Sequence, residues 1–552
     1  AIYDGPVDLI DGQETPVILT DIPSQENGQV VVEAVELEPG SQIVDPDGNL
    51  TYLREGVEFF PDGCQSEECL EVYSGQGTVL MDQVQITYRL KPDLNWSDGE
   101  QLTAADSQFS FQIAAALYPD PKPKRVRYTE SFEALDEESL IWKGVPGFRG
   151  IMHYTDYFFS PLPEHILADQ NPGDLLDDPD LNRAPIGWGA FMIEEWIEGD
   201  HITLVRNPEY QPGVDPVGFD SLVFRFYLTV DEVLDAFQAG ECQLAANSID
   251  LLDRMDEIAL LKNEDQVQVV YLQTDVWEQV TFGINSLSTE RGLLSDSAVR
   301  KSIAHCMNRQ EIVSSLNRAG PVVETYLPNN QLKNFSEISP LKYDPEQGRE
   351  LLDDNGWMDQ DSDPDTPRTA TGVTDFPDGT VLELDLILAG DEGEVPPSAD
   401  LIREDLEKCG IGLNIQPIPA GELLQPGPEG PVFGRDFDLA QFAWKTGTYQ
   451  PCMLFLSTEI PGSFPEFEKG WGGANAGGFS NPEFDQACRQ VRNNLPDEAE
   501  TIRAQSELLR IFVDELPALP LFYRQTVMLA DPGLVGLSSG DYPPLWNIEV
   551  IR

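Results

Sequence analysis

The sequence predicts a mixed α/β protein of two lobes, the first decorated by an extra subdomain, and three observations carry that prediction. A strand, a helix and a second strand follow one another between Leu382 and Ile418. Helix starts are repeatedly marked by capping residues, and the strands of the N-terminal half are separated by long Pro-, Gly- and Asp-rich connections. No repeat of about 20 to 50 residues runs through the chain, which removes solenoids and propellers.

From the N-terminus, Ala1 to Gly5 reads as the end of an element and the chain opens without Met, so its start is expected to be incomplete or processed. Met81 to Leu90 reads as a strand. Thr103, with Asp106 three residues on, precedes Phe109, Ile113 and Leu117 at helical spacing, a capping box in which each end satisfies the other's backbone N–H. His201 to Arg206 and Leu222 to Leu228 are further strands. Asn308 with Glu311 repeats the capping form before Ile312, Val313 and Leu316, while Asp344-Pro345 and Asn481-Pro482 place a cap before Pro at the first helical position, where its missing N–H is harmless. Leu382, Leu384, Leu386 and Leu388 alternate with Glu383 and Asp385, Ser398 is expected to cap a helix through Leu401 and Leu406, and Ile411 to Ile418 is extended again. That is a βαβ unit, hence parallel sheet. Asp497 with Glu500 opens a helix carrying Ile502, Leu509 and Phe512.

Charge then narrows the function. The 552 residues hold 97 Asp and Glu against 34 Lys and Arg, a formal net charge of -63, so a nucleic-acid partner is excluded by repulsion. With 41% hydrophobic residues the chain can bury sizeable cores, and no apolar run approaches the ~18 residues a membrane span requires. Such acidity suits a salty or extracytoplasmic setting, where ions screen self-repulsion.

Of the seven cysteines, Cys64 and Cys69 alone are close, and a small loop-closing disulfide is expected there; the odd count leaves one thiol free or paired with a residue upstream. The four histidines are scattered, so no metal and no cofactor is expected. Gly536-Leu537-Ser538-Ser539-Gly540 matches the serine elbow of hydrolases in form, but Tyr542-Pro543-Pro544 cannot start the required helix and no His follows, so it reads as a loop. Asp359, Asp361, Asp363 and Asp365 begin like a calcium loop, yet Pro364 and Ala370 occupy the positions needing Gly and Glu, and a solvated acidic loop is expected. Aromatics on Gly-rich or irregular segments are the cleft candidates: Trp188, Trp444, Tyr449 and Trp471.

Several segments together resemble the extracytoplasmic solute-binding proteins of family 5, the peptide- and nickel-binding components of ABC importers. They are Tyr88-Arg89-Leu90-Lys91-Pro92 through Trp96-Ser97-Asp98-Gly99 to Ala105-Asp106-Ser107, Pro185-Ile186-Gly187-Trp188-Gly189, Arg206-Asn207-Pro208-Glu209-Tyr210, Phe282-Gly283-Ile284-Asn285, Asn308-Arg309, Tyr343-Asp344-Pro345, Ser480-Asn481-Pro482 and Pro520-Leu521-Phe522-Tyr523, in that order. The resemblance implies a type II periplasmic-binding-protein-like fold: residues 1–272 as the first part of lobe I, with an extra subdomain at about 30–185, residues 273–517 as lobe II, and 518–552 as the return to lobe I. It puts the crossings near Leu272 to Gln279 and near Leu516 to Leu519, and it implies a partner for Cys242 either in a first strand absent here or in Cys306.

The resemblance also implies a function: capture of a small solute or oligopeptide between the lobes and delivery to permease subunits, by a monomer that meets the membrane only through an upstream lipid anchor. Trp444, Lys445, Tyr449 and Asn285 are the expected ligand residues of lobe II, with Trp188, Trp471 and Tyr523 completing the set. Two charges used by peptide-binding members are missing, since Gly447 stands where an Asp holds the peptide ammonium, and residues Ala389 to Glu392 supply no Arg for its carboxylate. Lys445 is available for an anion, and Asp391, Glu392 and Glu394 for a cation. A secreted hydrolase with a carboxylate pair and a non-transporting surface sensor are the alternatives; no enzyme is expected.

Overall fold

The computed structural model describes residues 2–552 apart from 11–12, 65–68, 119–121, 150, 152, 176–177, 211–217, 246–250, 288–291, 317–318, 328–331, 333–334, 362, 364–365, 391–394, 446–450, 464–466, 468–470, 494–497, 538–547 and 549–550. Labels are given below to the elements that frame the site.

The N-terminal half is built on an antiparallel sheet of β1 (Val30–Leu37), β2 (Val79–Arg89), β3 (Thr129–Ala134) and β4 (Ser139–Gly144), in the order β1-β2-β4-β3. Because β2 is central it is buried on both faces, and its polar side chains must bond internally. Gln83 Nε2 donates to Gly144 O at 3.0 Å, Gln85 Nε2 to Glu33 Oε2 at 2.9 Å, and Arg149 Nη2 to Asp82 Oδ2 at 3.2 Å. Arg149 Nη1 also donates to Cys64 O at 2.7 Å, tying the loop closed by the expected Cys64–Cys69 disulfide to the sheet. On β4, Leu140 and Trp142 alternate inward; the Trp142 indole donates to Thr129 Oγ1 at 2.7 Å, and a Cβ on Gly144 would lie 2.7 Å from its ring. Helix α1 (Ala104–Leu117) starts at the capping box of Thr103 and Asp106.

A second antiparallel meander follows: β5 (Phe191–Ile197), β6 (His201–Arg206) and β7 (Ser221–Arg225). β7 stops short of the expected Leu228 because the N–H groups of Leu228 and Thr229 donate to the Glu232 carboxylate at 3.0 and 3.1 Å, closing the capping box of α2 (Val230–Gln238). A helix cap has claimed backbone that the strand would have used.

The C-terminal half is organised by one seven-stranded sheet of β8 (Leu244–Ala245), β9 (Gln268–Phe282), β10 (Ala319–Val322), β11 (Glu383–Ala389), β12 (Gly412–Ile418), β13 (Leu439–Lys445) and β14 (Ala518–Ala530). Its order is β8-β14-β9-β13-β11-β12, with β10 against β14. Helices α3 (Ser297–Cys306), α4 (Arg309–Ser315), α5 (Pro345–Asp354), α6 (Pro397–Glu407), α7 (Pro482–Asn493) and α8 (Glu498–Glu515) surround it. β11, α6 and β12 form the expected parallel unit. Ser398, however, is buried inside α6 rather than capping it, because Pro396 and Pro397 fix the backbone for a start two residues earlier. The caps at Asn308, Asp344 and Asn481 are as expected; Asp497, expected to open α8, lies outside the described residues.

β9 and β14 run antiparallel from Gln268↔Ala530 to Thr281↔Ala518, broken chiefly where Thr274, Asp275 and Val276 of β9 stand opposite Arg524 alone and again by one residue at Leu521, between Glu278↔Phe522 and Gln279↔Pro520. Val280, Phe282, Leu386 and Leu439 pack with Ile303 and Ile402 in one core, while Trp277 and Tyr523 pack with Phe484, Leu508 and Phe512 in another.

Two disulfides join remote elements, Cys306–Cys409 between α3 and the turn after α6, and Cys452–Cys488. Cys306 therefore does not pair with Cys242, which keeps its thiol, 3.7 Å from the Tyr227 hydroxyl. A Cβ on Gly348 of α5 would lie 2.5 Å from Cys306 Sγ, so the glycine lets α5 close on α3 over the bond.

Arg300 is 2% exposed and its guanidinium donates to Leu294 O (2.7 Å), Ser295 O (2.9 Å) and Leu516 O (3.2 Å). Arg300→Ala strands these buried carbonyls and is expected to lower unfolding free energy by about 3 kcal/mol, read by denaturant titration. With a net charge of -63, raising KCl from about 0.1 M to about 2 M is expected to raise the melting temperature, because screening relieves repulsion that grows on compaction. A melting temperature that falls with salt contradicts this.

Candidate functional site

In an open α/β sheet, ligands bind beyond the carboxyl ends of parallel strands, where the backbone turns away and side chains converge. Here those ends are Ala389, Ile418 and Lys445. β9 runs antiparallel to β13, placing Val276 opposite Lys445 and Trp277 opposite Trp444; on the other edge of β9, Trp277 stands opposite Tyr523. Directly opposed residues project from the same face. Trp444, Trp277 and Tyr523 therefore form a row of rings across three adjacent strands, at the point where the β9–β14 register breaks.

Trp277 is 1% exposed, and its indole N–H is buried without an acceptor among the described residues. Tyr523 is buried beside it, and burial raises its hydroxyl pKa well above the usual phenol value. Trp444 is half-buried and meets Phe442 at 5.7 Å and Phe433 at 6.2 Å between ring centroids. The row is apolar throughout, with Trp277 and Tyr523 inside a core and Trp444 at its half-exposed end.

Charges flank the row on both sides. Lys445 Nζ lies 3.5 Å from Asp275 Oδ2 and is mostly exposed, while Arg524 Nε donates to Glu278 Oε1 at 2.8 Å. Each pair ties β9 to a neighbouring strand, and the first presents an acid and a base at the rim. Such an arrangement can hold an elongated solute by ring contact and meet either sign of charge.

The other expected residues are placed differently. Trp471 Nε1 donates to Phe433 O at 2.8 Å, and a Cβ on Gly427 would lie 2.1 Å from that nitrogen, so Trp471 holds the Phe433 segment behind Trp444. Trp188 is buried among N-terminal residues, its indole donating to Asp4 O at 3.1 Å and its ring T-shaped on Trp96 at 5.2 Å. Asn285 is exposed on the loop after β9, at the opposite end of the β9–β13 pair from Trp444. Tyr449, Gly447, Asp391, Glu392 and Glu394 lie outside the described residues, as do Ser538 to Gly540.

In the acidic loop, Asp359 accepts from Asp361 N (3.3 Å), and Asp361 accepts from Asp363 N (3.1 Å) and Thr366 Oγ1 (2.9 Å). These bonds turn the carboxylates onto their own backbone and hold the Asp361 carboxyl below the usual range. Asp365 lies outside the described residues. Among the described residues, no group of three His, Cys, Asp or Glu is placed to hold a metal.

Sequence reasoning missed Trp277, Asp275, Glu278 and Arg524. The signal for Trp277 was its place in an extended run beside the expected crossing; the charged residues carried none, being a few among 97 acids and 34 bases.

The pattern of the middle region of bacterial extracellular solute-binding proteins, family 5, matches residues 75–461. A Brucella ovis relative is 27% identical over 279 residues, 50% of this chain and 50% of its own length, so the match spans about half of that relative. The oligopeptide-binding protein AppA of Bacillus subtilis is 23% identical over 476 residues, 84% of this chain and 79% of its own. The ABC transporter substrate-binding protein CtaP of Listeria monocytogenes superposes with a TM-score of 0.63 at 17% identity, over 100% of this chain and 93% of that one. Among the described residues no helix is long and apolar enough to cross a membrane. The chain belongs to the bacterial extracellular solute-binding proteins of family 5 and has their two-lobed mixed α/β fold.

Proposed function

We propose that this protein is the extracytoplasmic substrate-binding component of an ABC importer, capturing a peptide or peptide-like solute between two lobes and delivering it to a membrane permease. The observation that carries the reading is the row Trp444–Trp277–Tyr523, lying across the register break of the two longest strands. Family membership supports solute binding, and the name of the Bacillus subtilis relative, an oligopeptide-binding protein, supports the peptide class.

In this reading lobe I comprises residues 1–272 and the C-terminal return, with the extra subdomain at about 30–185, and lobe II begins at 273. The first crossing is at Gln273 to Trp277. The second is read at Tyr523 to Gln525, directly opposite, in place of Leu516 to Leu519, because unpaired backbone at a bulge can bend without breaking a ladder. Rotation there closes the lobes, and a solute shifts the equilibrium only through contacts made in the closed form. Trp444 supplies ring contact, Lys445 and Asp275 meet the solute's charges, Trp277 and Tyr523 fix the floor, and Trp471 positions Phe433 behind it. The protein acts as a monomer outside the cytoplasm.

Native mass spectrometry of gently purified protein, followed by denaturation, tests the ligand class. A released oligopeptide supports it; an empty protein that shows no thermal shift with a peptide library refutes it. For a peptide that binds, Trp444→Ala is expected to weaken affinity at least about tenfold, or about 1.4 kcal/mol, by calorimetry. Trp277→Ala removes a fully buried ring and is expected to cost about 3–5 kcal/mol of stability in a denaturant titration. Equal affinities for Trp444→Ala and the parent chain would remove Trp444 from the site.

A further inference from the structure

The register break of β9 leaves a gap on both of its edges. The β9–β14 pairing stops at Gln273↔Gln525 and resumes at Trp277↔Tyr523, while the β9–β13 pairing begins only at Val276↔Lys445. Thr274 and Asp275 therefore belong to neither ladder, in the middle of a strand of 15 residues. Backbone freed from its ladders must find other partners or water.

A side chain closes part of that gap. Thr274 Oγ1 donates to Arg524 O at 2.8 Å and accepts from Val276 N at 3.2 Å. The hydroxyl thus relays the N–H of one strand to the carbonyl of the other, where a regular ladder would join them directly. Because a hydroxyl hydrogen rotates about its C–O bond, this relay tolerates changes of strand direction that a bond between two rigid peptide planes does not.

The strand facing the break is held in place. β14 is backed by β10 through Ala319↔Arg524 and Val322↔Phe522, and a Cβ on Gly320 would lie 3.0 Å from Tyr523 O, so these two strands are in close contact. Arg524 Nε donates to Glu278 Oε1 at 2.8 Å, beyond the break, while the Arg524 carbonyl takes the Thr274 hydroxyl before it. Bending is left to residues 274–276 of β9, and Asp275, 3.5 Å from Lys445, lies among them.

We infer that Thr274 is the pivot of lobe closure: its hydroxyl keeps β9 joined to β14 while the strands turn, and thereby positions Asp275 for the solute. That role rests on the two-lobed capture proposed above, and it makes Thr274 a positioning residue, acting through the bulge without touching the solute. With the relay removed, the angle between the lobes is restrained less. Mutual repulsion in a chain of net charge -63 then drives the lobes apart, most strongly at low salt.

Two variants of the full chain test this without any solute. Thr274→Val keeps the β-branched shape and removes the hydroxyl, whereas Thr274→Ser keeps the hydroxyl. In Thr274→Val, hydrogen exchange at the Val276 amide is expected to quicken roughly fivefold. Small-angle scattering at low salt is expected to give it a larger radius of gyration than the parent chain, a difference that about 2 M KCl removes. Thr274→Ser is expected to match the parent in both measurements. Faster exchange with unchanged scattering overturns the pivot, because the hydroxyl then holds only a local bond. Parent-like exchange in Thr274→Val overturns it too, as does a Thr274→Ser chain that behaves like Thr274→Val. A chain that meets these expectations and binds no peptide refutes the ligand class alone; one that binds peptide and fails them refutes the pivot alone.

Discussion

The pairing of β9 with β14 is the constraint on which the rest of the structure depends. It joins Gln268 to Ala530 and Thr281 to Ala518, residues some half the chain apart, and so closes the whole C-terminal half between two strands. Such long-range pairing is entropically costly until side chains on both faces are buried. Here both faces are: Val280 and Phe282 reach one core, Trp277 and Tyr523 the other. The register break at Arg524 follows from the same pairing. Three residues against one force a local bend, and that bend sits beside the carboxyl end of β13, where Trp444 and Lys445 emerge.

The buried arginines Arg149, Arg300, Arg309 and Arg368 stand where this architecture would otherwise leave carbonyls without donors. Arg309 donates to Val323 O, Pro520 O and Leu341 O at 2.8, 2.9 and 2.8 Å, tying the helix that carries it to β14 and two loops. Arg368 donates to Cys409 O and Trp357 O, each at 2.9 Å, next to the Cys306–Cys409 disulfide. A planar group with five donors suits this work, since it can satisfy several fixed carbonyls at once. The acidic excess is left mainly to exposed positions, where water and salt solvate it. Stability and extreme acidity are thereby separated: one lives in buried forks, the other on the surface.

Much of the fold was legible in local patterns. The caps at Thr103, Asn308, Asp344 and Asn481 each mark a helix start, because a capping side chain acts within three residues. The leucine alternation of β11 and the run to Ile418 announced the parallel unit. Where local reading failed, a competing local or tertiary demand had won. The Glu232 box shortened β7, and two prolines displaced Ser398 from the cap of α6. Cys306 found Cys409 because α3 and α6 pack on the same sheet face.

The sequence by itself determined the elements, the acidic surface and the family, since these rest on spacing, composition and ordered segments. It also singled out Trp444 and Tyr523, two of the three rings in the row. Only the tertiary structure decided that Trp277 lies between them, that Trp188 is a core ring held by Asp4, and that Asn285 faces Arg435 at the far end of the sheet. The reason is physical: a strand's period fixes which side a residue faces, but its neighbours across the sheet come from strands as distant as β9, β13 and β14. Their register is set by packing on both faces, not by any one segment.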